Sequence, residues 1–471
     1  MPVNIRRTNT ACSLRHSRPW SKLATSCLLP ALAAWVLVGC LRQPSPPASQ
    51  TPTEHPSSSL AVPTAKAPVQ ASSTPSALPS ETPSLTPVPV EEDLGLSAIS
   101  YRIPLTIRHV TGGMAVLFFE LSEPAAGTVY LRPIGSGEPQ QEVDLSAPET
   151  RHQIIFEGLL PGRRYQVIVA LGALDQDPQQ PSFLGRAWGP VSFVVPQPEG
   201  PLRFGVIGDA SFGDAATRAL IEQMAGADLD FVLHAGDVVD ETELGVNPYD
   251  AYAEKFYDVF EPLLRELPIY TVPGNHDYEL DIRLGEEPFY FRAFPAFPDP
   301  EQPGQGTAER NQYYAFESHG IQFVMLDSQV LFGIPGREEE RIWLEERLAD
   351  TRFKATIPVV HVAPFSSSSV HPTDSLPVRQ AWVPLFETAH VPAVFSGHFH
   401  QYERLSVNGI TYIVSGGGSS TLYAPGPMLP QSQEFRRQTH FVLCEVNEDT
   451  LVLTAVGLGG EVIDGAVLQL K

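Results

Sequence analysis

Cysteine is scarce in this chain: there are four in 471 residues, Cys12, Cys27, Cys40 and Cys444. That number and spacing build no disulfide framework, and no Cys-x-x-Cys pair offers a thiolate zinc site. Positive charge is the second shortage. Lys and Arg number 31 against 54 Asp and Glu, a formal net charge of −23. The balance is more acidic still beyond residue 40, because Arg6, Arg7, Arg15, Arg18 and Lys22 stand before it with no acid among them. Nonspecific binding to nucleic acid rests on neutralising phosphates with Lys and Arg, so so acidic a chain argues against nucleic acid as a bulk partner. Local positive potential at a binding site must then come from bound metal. No repeat of fixed period is present. The triplet Gly416-Gly417-Gly418 lacks the lysine and following helix of a nucleotide-binding P-loop, and reads as a turn.

Long hydrophobic runs are also missing, apart from Leu23 to Gly39, which follows a basic start and is short for a spanning helix. It ends in Leu37-Val38-Gly39-Cys40, which resembles the lipobox of bacterial lipoproteins. The resemblance implies that Cys40 becomes the lipidated first residue after cleavage of 1–40. An uncleaved anchor is the alternative, and either tethers an exported protein to the outer side of the cytoplasmic membrane. Residues 41–96 form a tether: Leu41 to Val90 holds 12 Pro, 10 Ser and 6 Thr with neither Gly nor an aromatic residue, so nothing there can nucleate a core.

From 97 to 198 short apolar runs broken by Gly and Pro predict about seven strands and an all-β sandwich. The stretch Leu160-Pro161-Gly162-Arg163-Arg164-Tyr165 resembles the tyrosine corner of a fibronectin type III domain. From 200 to 471 strands alternate with helical patterns at Asp214–Ala225, Tyr249–Glu266, Glu338–Ala349 and Arg379–Ala389, then give way to strands. An α/β fold with two sheets follows.

Five motifs stand in order in this second region: Gly208-Asp209, Gly236-Asp237-Val238-Val239-Asp240, Gly274-Asn275-His276-Asp277, Val360-His361 and Gly397-His398-Phe399-His400. Each follows a run that reads as a buried strand, which places all five at strand carboxyl ends, where open α/β sheets carry their sites. Asp209, Asp237, Asn275, His361, His398 and His400 supply the hard oxygen and imidazole ligands that a two-metal hydrolytic site requires. Taken singly, Asp209 could cap a helix and Asn275 could serve a turn. His234, on the strand before Gly236, reads as structural or supporting rather than ligating.

The ordered set resembles the calcineurin-like metallophosphoesterase superfamily, and within it the purple acid phosphatases, which also carry a fibronectin-like domain before the catalytic one. The resemblance implies an αββα sandwich and two metal ions, divalent or mixed-valence Fe, Mn or Zn. It further implies Asp209 and His400 on the first metal, Asp237 bridging, and Asn275, His361 and His398 on the second. His276 then faces the phosphate as a catalytic residue, and His371 stands where the family often has a second substrate-facing histidine. The chain departs from the purple phosphatases at Asp240, which replaces the tyrosine that binds ferric iron there. Asp240 is either a ligand in its place or a partner that orients His276, as the matching Asp does in the Ser/Thr phosphatase branch.

The expected activity is hydrolysis of small-molecule phosphate monoesters, by direct attack of a metal-bound hydroxide without a covalent enzyme intermediate. Phosphodiester or nucleotide hydrolysis is the alternative within the family. A non-catalytic surface-binding lipoprotein is the alternative of another class. Substrate choice is expected in the loops Tyr278–Asn311 and Phe365–Val378.

Overall fold

The computed structural model describes residues 99–136, 140–171, 190–240, 246–278, 287–296 and 312–470. The leader with Cys40, the tether and most of the loop Tyr278–Asn311 lie outside the described residues. No helix among the described residues is long and apolar enough to cross a membrane.

The first domain is built from five strands: β1 (Tyr101–Val110), β2 (Met114–Pro133), β3 (Gln141–Glu157), β4 (Arg164–Leu171) and β5 (Val191–Val194). Strand β2 pairs with β1 as far as Leu121 and, after an irregularity around Ala125, with β4 from Gly127 onward. Strand β3 accompanies both halves. Counted by halves, β2 and β3 bring the total to the seven segments that the sequence predicts. Alternate residues Ala115, Leu117, Phe119 and Leu121 share one core with Val129, Leu131, Tyr165 and Phe193, the period-two pattern of a strand, while the intervening residues of this half are buried on the other face. The Leu160 amide donates to the Tyr165 hydroxyl at 3.1 Å, as the corner motif predicts.

The second domain opens with β6 (Leu202–Ile207), α1 (Ala215–Ala225), β7 (Phe231–His234), α2 (Pro248–Tyr252), α3 (Asp258–Leu264) and β8 (Ile269–Thr271). A π-helical turn at Ala253–Tyr257 joins α2 to α3, so the helical pattern read as Tyr249–Glu266 is a rod with one widened turn. There follow α4 (Phe289–Ala293), β9 (Tyr314–Ser318), β10 (Ile321–Leu326), α5 (Arg337–Leu348), β11 (Ala355–Val362), α6 (Ser375–Ala389) and β12 (Ala393–Gly397). The chain then runs through β13 (Tyr402–Val407), β14 (Ile410–Ser415), β15 (Ser432–Arg436), β16 (His440–Asn447), β17 (Thr450–Gly457) and β18 (Val462–Gln469).

These strands form a six-stranded sheet, β18-β17-β16-β6-β7-β8, and a seven-stranded sheet, β15-β13-β14-β12-β11-β10-β9. Phe204, Phe231, Phe323 and Phe395 fill the space between them. Leu220, Phe260 and their neighbours on α1 and α3 cover the outer face of one sheet, and Trp343, Trp382 and Phe386 on α5 and α6 cover the other. The layers are therefore helix, sheet, sheet, helix. Strands β6, β7 and β8 run parallel in one sheet, and β10, β11, β12 and β14 in the other. The loops that leave their carboxyl ends meet at one end of the two sheets.

Candidate metal centre

All six residues expected to bind metal converge at that end. Asp209 follows β6, Asp237 follows β7, Asn275 follows β8, His361 lies within β11, and His398 and His400 follow β12. Asp209, Asp237 and His398 have φ of 57°, 51° and 67°. Left-handed backbone is uncommon for residues with a Cβ and is sustained only where surrounding structure enforces it, as at functional sites. Glycines make room for the carboxylates. A Cβ on Gly274 would stand 2.1 Å from Asp237 Oδ1, and one on Gly397 2.5 Å from Asp209 Oδ2.

On one side of the centre, His361 Nε2 lies 3.1 Å from Asn275 Oδ1 and 3.4 Å from Asp237 Oδ1. His398 Nδ1 lies 3.0 Å from the same Asn275 oxygen. On the other side, His400 Nε2 lies 3.4 Å from Asp209 Oδ1. The outer nitrogen of each ring already has an acceptor: the Ala235 carbonyl at 2.8 Å for His361, the Asp374 carboxylate at 3.1 Å for His398 and the Thr421 carbonyl at 2.9 Å for His400. Donating outward leaves the inner nitrogen of a neutral imidazole with a lone pair aimed at oxygen acceptors. Metal ions in that space would satisfy these lone pairs and the facing oxygens together, so the donor set fits two metal ions. Outer hydrogen bonds of this kind also orient ligating histidines.

The charge balance agrees. Burial alone would lower His361, but Asp237, and after it Asp209, raise it to about 9. Burial raises Asp237, and His361, with His276 and His398, more than reverses this and holds the carboxyl well below its usual range. Each buried group calls for opposite charge beside it.

His276 is partly exposed above this set. Its amide donates to Asp237 Oδ1 at 2.9 Å, and its ring Nδ1 stands 3.7 Å from Asp240 Oδ1. The Asp240 carboxylate thus faces the His276 ring. Asp277 turns inward: its carboxylate accepts from the amides of Gly274, Val238 and Val239 at 2.8, 3.1 and 3.3 Å. It clamps the loop carrying Asn275 and His276 to the loop carrying Asp237. His371 lies with its ring centre 5.1 Å from that of His398. His234 is buried against Phe260 and makes no hydrogen bond to the ligand set.

Two residues were not singled out by the sequence. Asp374 bridges His398 and His371, at 3.1 and 3.5 Å. Tyr423 lies flat on the His400 ring, with centroids 4.2 Å and planes 7° apart. Both stand in loops rich in Ser, Thr and Pro, where periodicity carries no signal.

A two-sheet α/β sandwich with this donor set at its strand ends is the architecture of a metal-binding class of protein. Residues 202–402 match the calcineurin-like phosphoesterase family, which identifies that stretch as a domain of this kind. The chain is 30% identical over 222 residues to probable purple acid phosphatase 20 of Arabidopsis thaliana, an alignment covering 46% of this chain and 49% of that one. The chain spans about half the length of the curated relatives it matches. Its fold resembles that of a purple acid phosphatase from yellow lupin (Lupinus luteus) seeds, with a TM-score of 0.62 at 17% identity over 78% of this chain and 74% of that one. It also resembles the fold of PhoD, with a TM-score of 0.56 at 12% identity over 79% and 90% of the two chains.

Proposed function

We propose that the protein is a binuclear-metal phosphoesterase that hydrolyses small-molecule phosphate monoesters, exported and held at the outer side of the cytoplasmic membrane by a lipid on Cys40. One observation carries the catalytic reading: three imidazoles, two carboxylates and an amide oxygen turn their lone pairs into a single space, with His276 and His371 at its edge. Asp209, Asp237 and His400 would hold the first metal, and Asp237, Asn275, His361 and His398 the second. When bound, such a pair supplies an activated water and neutralises charge on the phosphoryl oxygens.

The chain's own residues do the rest. His276, partly exposed and facing Asp240, is placed to give a proton to the leaving oxygen or to stabilise charge developing there, an effect typically worth about 10² to 10⁴ in rate. Asp277 fixes the height of that histidine above the site by gripping the amides of two loops at once. The replacement of the purple phosphatases' tyrosine by Asp240 supports a centre without the phenolate colour band. The sandwich before the catalytic domain is in our reading a fibronectin type III-like module that walls the catalytic domain rather than binding a ligand of its own.

The test is turnover of an aryl phosphate monoester by the protein loaded with Mn, Fe or Zn, with His276→Ala as control. Metal-dependent hydrolysis that falls at least a hundredfold in the variant is expected. Full metal occupancy without turnover of monoesters or diesters would leave a surface-binding protein as the reading.

A further inference from the structure

Two loops on the second-metal side of the centre are zipped into one wall. Ser369 N donates to the Ala424 carbonyl at 3.0 Å, Gly426 N to the Ser367 carbonyl at 2.7 Å and Leu429 N to Ser367 Oγ at 3.0 Å. Buried Glu403 pins the pair from behind, accepting from Ser367 N at 2.8 Å and Ser367 Oγ at 2.6 Å. The first loop presents His371, beside His398, and the second presents Tyr423, on His400 and 6.1 Å from the His371 ring. The wall therefore borders both halves of the donor set.

Its chemistry is one-sided. Residues 366–378 and 416–430 contain no Lys or Arg, and their only acid, Asp374, is held by His398 and His371. Leu376, at the start of α6 directly after the first loop, and Met428, on the second, are 43% and 50% exposed. A second phosphate or a carboxylate lying here would meet no cation on either loop and would sit near Asp374; a neighbouring cation, Arg437, donates its Nε to the Leu422 carbonyl at 3.1 Å. An uncharged ring or alkyl group would cover the Tyr423 face, Leu376 and Met428.

We propose that this wall is the subsite for the organic half of the substrate, and that it selects phosphoesters of apolar aromatic or aliphatic alcohols over nucleotides, polyphosphates and other polyanionic esters. The inference rests on the phosphoesterase reading above and narrows its substrate class.

Binding of unreactive phosphonates separates the two. Calorimetry on the metal-loaded full chain should show phenylphosphonate binding about tenfold more tightly than methylphosphonate, from the apolar area covered by the ring. The compound 4-carboxyphenylphosphonate should lose most of that gain. Tyr423→Ala should reduce the phenyl advantage over methylphosphonate to about threefold or less, both compounds being compared at matched metal occupancy. The double variant Leu376→Ser, Met428→Ser alters only solvent-exposed side chains, which keeps the test valid if Tyr423→Ala misfolds, and it should act in the same direction. Equal affinity for phenyl- and methylphosphonate, or an advantage untouched by either variant, overturns the proposal. The expected order without turnover of any ester would leave the wall standing and remove the catalytic reading; failure of every phosphonate to bind would remove both.

Discussion

Asp240 and Asp374 are both carboxylates beside a histidine, yet they act on different parts of the centre. Asp240 faces the His276 ring at 3.7 Å, and in the proposed reading it positions a residue placed to meet substrate. Asp240→Asn should therefore lower turnover by about a hundredfold while calorimetry finds metal stoichiometry and affinity unchanged; loss of one metal would assign Asp240 to the first site instead. Asp374 accepts from the outer nitrogen of His398, whose inner nitrogen faces Asn275. Asp374→Asn should weaken the second metal by about ten- to a hundredfold, measured by competition with a chelator. Unchanged metal affinity would mean that Asp374 serves His371 alone. The six candidate ligands were legible in the sequence because each lies at or a few residues beyond the end of an apolar strand, where a Gly-Asp or Gly-His pair stands out. Asp374 and Tyr423 were not, because their place beside His398 and His400 depends on two distant loops pairing with each other.

At the scale of elements, strand ends decide the geometry, and the loops that leave them tolerate little. The Cβ that Gly274→Ala introduces would also lie 2.3 Å from the Asp237 amide, so the variant should fold with unchanged circular dichroism and lose metal binding at the shared carboxylate. Retained two-metal stoichiometry would show that the β8 loop can yield. The end of β10 carries a different constraint. Buried Asp327 accepts from Tyr278 Oη at 2.5 Å, Gln312 Nε2 at 2.9 Å and the Gln329 amide at 2.9 Å, and its own amide donates to Glu340 Oε1 at 2.8 Å. Burial raises Asp327 to about 6, and burial together with Asp327 raises Glu340 well above its usual value. In the unfolded chain both ionise near pH 4. The folded state thus keeps protons that the unfolded state has released, so this contribution to stability is full below about pH 4 and is lost as pH rises through 6. Glu340→Gln keeps the acceptor for the Asp327 amide without the charge, and should reduce the loss of stability between pH 5 and 7.5 by about 1 kcal/mol, read from denaturant midpoints. A pH profile identical to that of the unaltered protein would show that the pair is already neutralised. The sequence placed a buried strand before each motif, and the structure has one there. It did not mark β9, β15 or β18, the outermost strands of their sheets, where mixed exposure blurs the alternation.

Among the described residues, the β-sandwich and the α/β region that follows it are joined across a packed junction, and the reason lies in the sheet edges. Strands β8 and β9 end the two sheets on the same side, and an open edge exposes unpaired backbone and apolar side chains. Strand β1 lies against them: His109 Nδ1 is 2.9 Å from Tyr270 Oη, and its ring sits edge-on to Phe316. Ile103 and Phe118 enter the core of the following domain. Beside them Glu120, buried on β2, accepts from Tyr249 Oη at 2.5 Å and from Arg292 at 2.7 and 3.0 Å. Arg292 ends α4, whose Phe291 packs on Tyr278, two residues beyond His276. The sandwich therefore braces the segment that follows the catalytic loop, a role that composition cannot reveal because it arises from a single buried acid meeting side chains far along the chain. Breaking a fully buried ion pair typically costs about 3 to 5 kcal/mol. Arg292 and Arg151 are 40% exposed and can return to water when the acid is removed, so Glu120→Ala should cost nearer to about 2 kcal/mol. Chemical denaturation followed by fluorescence and by circular dichroism should show one cooperative transition shifted to lower denaturant. A sandwich that served only as a spacer would give two transitions instead, with the catalytic domain's midpoint unmoved by the substitution.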